Sequence, residues 1–247
     1  MRADYAERYR ELYERHWWWR AREAAILQVL CALQPPQGWK RILDVGCGDG
    51  LFFDQLSQFG DVRGVEPAEE LVSDTGAYRS RIHIGPFDEN FQPDQQFSLI
   101  LMLDVLEHMA DPCMALQHAL ALLEPHGRLV ATVPAYQLLW TNHDILNHHL
   151  TRYTGKSFRR VARQAGLEIE NQKYFFHWLF PVKLVVHFAQ RLLRLQPRPP
   201  NVPARWINEL LYRLSRIEYS VLSLLPLPFG SSLMVVGKKQ RLKANSK

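Results

Sequence analysis

Cysteine is scarce in this sequence. Its three residues, Cys31, Cys47 and Cys113, are odd in number and widely spaced. They form neither a CxxC pair nor a disulfide framework, which points to a reducing, cytoplasmic setting. Met1 to Arg15 carries charge throughout and has no apolar h-region, so no signal peptide is expected. Long hydrophobic runs are also missing. Between Tyr174 and Leu195 the longest stretch without Lys or Arg is about nine residues, against about 20 needed to span a bilayer. Tyr219 to Gly237 lacks formal charge for longer, but Pro226, Pro228 and Gly230 break it, and a spanning helix is not expected. Internal repeats and low-complexity segments are absent. With 47% hydrophobic and 22% charged residues in 247, the composition excludes a disordered chain and allows one full-sized domain with additions.

Charge of one sign is short everywhere except in one place. The net charge is +5. Between His177 and Pro228, seven basic residues (Lys183, Arg191, Arg194, Arg198, Arg205, Arg213, Arg216) face only Glu209 and Glu218. That stretch holds an excess equal to the whole chain's. A basic surface suits nucleic acid, an anionic membrane or a phosphorylated substrate, and sign alone does not choose among them.

Residues 4 to 34 read as helical, with Trp17-Trp18-Trp19 at their centre, and Pro35-Pro36 ends them. Strands and helices then alternate. Strands are expected at 41–45, 62–65, 81–84, 97–103 and 127–133, with helices at 51–59, 68–75 and 111–123. Phe97 to Leu103 is almost continuously apolar, as in a strand covered on both faces. A helix over 157–166 and strands at 167–175 and 232–236 complete the pattern. The expected fold class is α/β, a doubly wound, seven-stranded, mostly parallel sheet. Four segments follow: a helical cap over 1–38, a cofactor-binding core over 39–176, a basic apolar helical insertion over 177–228, and a last strand with a charged tail over 229–247.

The first strand runs into Asp44-Val-Gly46-Cys47-Gly48-Asp-Gly50. Alternate glycines let the backbone take positive φ and let a ligand approach main-chain N–H groups without meeting a Cβ. Glu66, at the end of the second strand, suits a carboxylate that holds two vicinal ribose hydroxyls. A dinucleotide turn would place its third glycine at position 51, which is Leu51; here it stands at 50.

The segment ILDVGCGDG resembles motif I of class I (Rossmann-like) S-adenosylmethionine-dependent methyltransferases, and the resemblance continues in register. Gly64-Val-Glu66-Pro67 is similar to the family's ribose-binding strand end, FSLILMLDVLEH to its fourth strand and turn, and Leu123-Glu-Pro-His-Gly-Arg-Leu129 to the segment before its fifth strand, with His126 where glycine is usual. The resemblance covers about residues 40 to 135. It implies S-adenosylmethionine as cofactor, with S-adenosylhomocysteine as product. It assigns Asp44, Gly46, Cys47, Gly48 and Gly50 to the methionine and ribose side, and Glu66 with Pro67 to the ribose. Phe87 and Asp88 fall near the adenine, and Leu103, Asp104 and Val105 near the methionyl group. His16-Trp-Trp-Trp-Arg-Ala-Arg22 resembles a segment that closes over the cofactor's amino-acid end in bacterial relatives, where Arg22 would pair with the carboxylate.

Two clusters qualify as acceptor chemistry beyond the ends of the fourth and fifth strands. Asp104-Val-Leu-Glu107-His108 resembles the D-x-L-E-H turn of small-molecule methyltransferases such as those of ubiquinone biosynthesis; a helix-capping role for Asp104 or Glu107 is an equally ordinary explanation. The second cluster, from Trp140 to Tyr153, holds His143, Asp144, His148, His149, Arg152 and Tyr153. It resembles the H-D-x(4)-H-x-R-R-Y stretch of a bacterial methyltransferase group, with Thr151 at the first arginine. An imidazole oriented by a carboxylate is a workable base near neutral pH. His143 is the preferred base, with His108, Asp144, His148 and Tyr153 as further catalytic candidates. No HxH or HExxH spacing appears, so no metal is expected.

The leading expectation is an enzyme that methylates a small-molecule or lipid-linked acceptor, at oxygen. The 177–228 insertion would serve as a lid, a dimer contact or a peripheral contact with the inner membrane face. An RNA methyltransferase is the second reading, from a pI near 9.2. Against it, the segment after the fourth strand lacks the Asn/Asp-Pro-Pro-aromatic turn of amino-group methylation. A membrane-associated binding protein that retains the fold without activity is the third.

Overall fold

The computed structural model describes residues 3–197 and 199–240; Arg198 of the basic insertion and the charged tail from 241 lie outside the described residues. Seven strands form one sheet: β1 (Arg41–Val45), β2 (Asp61–Glu66), β3 (Ile82–Ile84), β4 (Phe97–Leu103), β5 (Leu123–Pro134), β6 (Leu167–Phe175) and β7 (Ser232–Lys239). The helices are α1 (Ala3–Arg15), α2 (Trp17–Leu33), α3 (Phe53–Leu56), α4 (Pro112–Leu122), α5 (Asn142–Leu146), α6 (Gly155–Ala165), α7 (Leu179–Leu193) and α8 (Arg205–Leu222).

The strand order is β3-β2-β1-β4-β5-β7-β6. β1 to β5 pair in parallel, and β7 is antiparallel to both β5 and β6. This is the expected doubly wound, mostly parallel sheet. Alternation within the apolar runs sorts side chains onto two faces. Leu43, Ile100, Met102 and Leu129 pack with α4 and α6, while Ile42, Leu99, Leu101 and Val130 pack with α2. Both faces are covered, which is why β4 has no polar alternation. The order reverses between β1 and β4, and the crevice at their carboxyl ends is where such sheets bind ligands.

Three helical expectations change. The single helix over 4–34 is two helices broken at His16, whose backbone is extended and whose Nδ1 accepts from Trp18 N at 3.2 Å. The break is held from far along the chain. Asn208 of α8 accepts from Trp17 N and donates to the Arg15 carbonyl, both at 2.8 Å, so the helix ends at the break keep their hydrogen bonds. The helix expected at 68–75 is only a 3₁₀ turn, Glu69–Leu71; the Asp49 carboxylate takes Ser73 N–H at 2.9 Å and directs the chain back to the first turn. The helix expected at 51–59 is the four-residue α3.

The insertion leaves the sheet after β6 and returns at β7, contributing α7 and α8. Pro181 sits in the first turn of α7, where its missing N–H costs nothing. α8 packs along α2 and buries Asn208, Ser215 and Glu218, while Leu210, Leu214, Ile217 and Val221 are exposed. Leu211, Tyr212 and Tyr219 pack inward, while these other large apolar side chains face outward. Among the described residues, no helix is long and apolar enough to cross a membrane.

Candidate functional site

The turn after β1 is shaped by backbone conformation. Gly46, Gly48 and Gly50 all have positive φ, at 73°, 55° and 70°, where a side chain would be strained. A Cβ on Gly46 would also lie 2.7 Å from Val105 Cγ2, so the β1 and β4 turns approach closely only because glycine is there. Glu66 at the end of β2 closes the turn. Its Oε2 accepts from Gly48 N–H at 2.8 Å and its Oε1 from Ala68 N–H at 2.9 Å. Burial pushes its carboxyl above the usual range, against those two bonds. Cys47 points beneath the turn toward Gly64, where an added Cβ would sit 2.3 Å from its Sγ. Burial raises its thiol pKa.

The carboxyl end of β4 supplies Leu103, Asp104 and Val105. Asp104 is left-handed at φ 55°, and Arg22 Nε lies 2.5 Å from its Oδ2. Arg22 is buried on α2, so the residue expected at the methionine carboxylate is paired here with a protein carboxylate at the same end of the crevice. Phe87 and Asp88 follow β3 beside the Glu66 strand. The Phe87 ring meets His118 edge-on at 4.8 Å, and the Asp88 side chain accepts from Asn90 N–H at 2.8 Å; Pro67 is exposed. These residues fit S-adenosylmethionine. Three positive-φ glycines leave the turn's backbone open, an added Cβ would clash at Gly46 and be tight at Gly50, the Glu66 carboxylate ends β2, and Arg22 with Asp104 stands at the carboxyl end of β4.

Asp44, on β1 under the turn, is almost fully buried. Burial raises its pKa to about 7, against the opposing pull of Arg22. Between about pH 4 and 7 the folded protein then keeps a proton that the unfolded chain has released, so this residue's contribution to stability falls as pH rises to 7. Asp44→Asn should therefore gain on wild type by on the order of 2–3 kcal/mol between pH 5 and pH 8 without cofactor. Paired thermal melts at the two pH values read this, and a constant difference between the proteins would refute the buried-acid assignment.

The loop after β5 is built around Asp144. It caps α5 by accepting from Thr141 N–H at 2.7 Å. It also receives Arg152 in a two-point pairing, Nε to Oδ1 at 2.8 Å and Nη2 to Oδ2 at 2.9 Å. His149 Nδ1 lies 2.8 Å from the same Oδ1. Burial alone would raise this carboxyl, but the His149 and Arg152 bonds hold it well below the carboxylate range.

The carboxylate thus orients His149 and not His143, the residue preferred from sequence. His143 contacts Asn147, and burial followed by the charge of Lys183 pulls its pKa down to about 4, which makes it a weak base. His148 is left-handed and exposed. The Tyr153 hydroxyl is committed to the Leu106 carbonyl at 3.1 Å within the core, and burial raises its pKa. Its position argues for pinning the loop to the β4 turn rather than for catalysis. The H-D-x(4)-H register itself falls on His149, so the signal for this residue was present in the sequence.

His108 meets His149 edge-on at 4.8 Å. Glu107 is fully buried between the two turns, neither of its carboxylate oxygens has a hydrogen-bond partner, and burial pushes it well above its usual range. Glu107, His108 and His149 bring potential ligand atoms within 4.8 Å of one another. These donors suit a divalent cation once Glu107 is ionised, and no spacing rule finds them because the segments are distant in sequence. Two other residues have no local sequence signal. Asp49 forms an ion pair with Arg10, latching α1 onto the cofactor turn. Lys183 lies on the face of α7 whose His187 and Gln190 bond to the loop after β5.

A glycine cradle with a carboxylate at the end of the next strand, at the switch point of this seven-stranded sheet, defines a Rossmann-like S-adenosylmethionine-dependent transferase. The methyltransferase domain family matches residues 3–172; the chain belongs to it, and its cofactor is S-adenosylmethionine. A ubiquinone biosynthesis O-methyltransferase from Azorhizobium caulinodans is 31% identical over 151 residues, 56% of this chain and 59% of that protein. Its counterpart in Bradyrhizobium diazoefficiens is matched over only 40% of its length, so the chain spans about half the length of these relatives. In fold, it is similar to a SAM-dependent methyltransferase from Archaeoglobus fulgidus, with TM-score 0.54, 15% identity, and 88% and 94% of the two chains covered.

Proposed function

We propose that this protein methylates a hydroxyl oxygen on a small-molecule or lipid-linked acceptor, working at the cytoplasmic face of an anionic membrane. S-adenosylmethionine supplies an electrophilic methyl group on a sulfonium. Methyl transfer is an in-line displacement with a neutral leaving group, so the protein's tasks are to align the acceptor and remove its proton. Alignment is worth about 7–11 kcal/mol and a base about 10²–10⁴-fold. Glu66 and the Gly46–Gly50 turn hold the donor. His149, its Nδ1 engaged by Asp144, takes the acceptor proton on its other nitrogen, and His108 lies beside it.

The observation that carries the membrane half of this reading is the inverted insertion. On α7, His187 Nδ1 contacts the Trp140 carbonyl at 2.6 Å and Gln190 accepts from Asn142 N–H at 2.9 Å, so polar residues face the catalytic loop. Val185, Phe188 and Leu192 face outward and are 68%, 56% and 83% exposed. An apolar outer surface beside Arg191, Arg194, Arg213 and Arg216 suits an anionic interface. The 31% identical O-methyltransferases support oxygen as the acceptor atom.

The test is incubation with a membrane lipid extract and S-adenosylmethionine carrying a labelled methyl group. Label in an alkali-stable lipid fraction, reduced about 10²–10⁴-fold by His149→Ala, is expected. Label confined to RNA or to water-soluble amines would overturn the proposal.

A further inference from the structure

We propose that Lys183 is the acceptor-recognition cation, and that the acceptor carries an anionic oxygen group, a phosphate or carboxylate, near the hydroxyl that is methylated. This inference rests on the methyltransferase reading of the same crevice and adds to it the charge class of the substrate.

The argument begins with the register of α7. Lys183, His187 and Gln190 stand at i, i+4 and i+7, on one face of a helix. Two of the three are fastened to the loop after β5, His187 on the Trp140 carbonyl and Gln190 on Asn142 N–H. Asn142 also donates to the Leu195 carbonyl at 2.7 Å, tying down the far end of the helix. Lys183 lies one turn nearer the start of the helix on that face and is half-buried. Its charge acts on Asp104 of the β4 turn and on Asp144, Arg152 and His143 of the β5 loop. Those two turns border the space an acceptor must occupy.

The charge balance there leaves Lys183 over. Arg152 is matched by Asp144, and Arg22 by Asp104. Burial pushes the Glu107 carboxyl well above its usual range. No hydrogen bond or ion pair engages the Lys183 ammonium among the described residues. A half-buried cation without a partner is unfavourable, and here burial, then Arg152, pull its pKa down to about 8. An anionic acceptor would complete the missing pair at the point where the lid meets the reacting centre.

The experiment is calorimetric titration of the full chain saturated with S-adenosylhomocysteine. The soluble probes are phenyl phosphate and benzoate, with benzyl alcohol as the neutral comparator; vesicles of pure phosphatidylcholine and of phosphatidylcholine with phosphatidylglycerol are run alongside. Wild type is expected to bind at least one anionic probe in preference to benzyl alcohol. Lys183→Met should weaken that binding about tenfold, and Lys183→Arg, which keeps the charge, should hold it within about threefold. S-adenosylhomocysteine affinity should be equal in all three proteins, which also reports folding. Competition by phosphatidylglycerol vesicles, but not by phosphatidylcholine, would identify a lipid as the source of the anion. The inference is overturned if wild type binds neither probe, or if Lys183→Met binds them as wild type does. Absence of S-adenosylhomocysteine binding to wild type would instead defeat the methyltransferase reading itself.

Discussion

Replacing Arg152 with alanine should lower the unfolding free energy by about 3–5 kcal/mol, because it leaves the Asp144 carboxylate buried without its principal partner. Asp144 has no accessible surface, and Arg152 is 5% exposed. The guanidinium does more than neutralise: its third bond, from Nη1 to the Ala135 carbonyl at 3.0 Å, joins the loop to the end of β5. For a chain of this size the loss corresponds to roughly 6–20 °C in melting temperature. The Asp144→Ala, Arg152→Ala double variant should lose clearly less than the two single variants added together, since each single change strands a charge and the pair does not. Thermal melts of the three proteins decide this. A single-variant shift below about 2 °C, or strict additivity, would mean that the loop is held by other contacts.

The second large effect is on cofactor affinity. Glu66→Ala should weaken S-adenosylmethionine binding by about 10²–10⁴-fold: two hydrogen bonds to a charged acceptor are lost, each worth about 1.5–3 kcal/mol, and each 1.4 kcal/mol is a factor of ten. The variant also releases Gly48 N–H and Ala68 N–H from their shared carboxylate, so the turn loses its preorganisation as well as its ligand contact. Glu66→Gln, which has the same shape and one remaining acceptor oxygen, should fall between the two. Calorimetric titration with the cofactor separates them. A change of less than threefold in Glu66→Ala would remove the carboxylate from the ribose.

Sequence pattern reveals those parts of this fold whose cause is local. β4 announces itself because burial on both faces demands an unbroken apolar run, and the β1 turn because only glycine tolerates three positive-φ positions in five. Even the fault lines follow this rule. Trp17-Trp18-Trp19 looks continuous with the preceding helix, since the group that stabilises the break at His16 is Asn208, 191 residues away. The partner of Asp144 was open to choice among three nearby histidines, because a capped five-residue helix followed by a left-handed His148 reverses which rings face the carboxylate. The 68–75 helix failed against a competing side chain, Asp49, which captures the N–H of Ser73. The amphipathic pattern of α8 is legible too, but periodicity does not say which face meets the protein, and here it is the one with Asn208, Ser215 and Glu218.

The placement of β7 between β5 and β6 has a consequence for how the molecule is made. The seam between the parallel half of the sheet and β6 is filled by residues 232–239, so a nascent chain that has emerged only as far as the insertion has an open slot where its sheet should be continuous. Completion is deferred until β7 itself has been synthesised, after the segments that form α7 and α8. Until that strand arrives, two unpaired edges face each other across the gap, and they are the surfaces a chaperone would have most reason to shield.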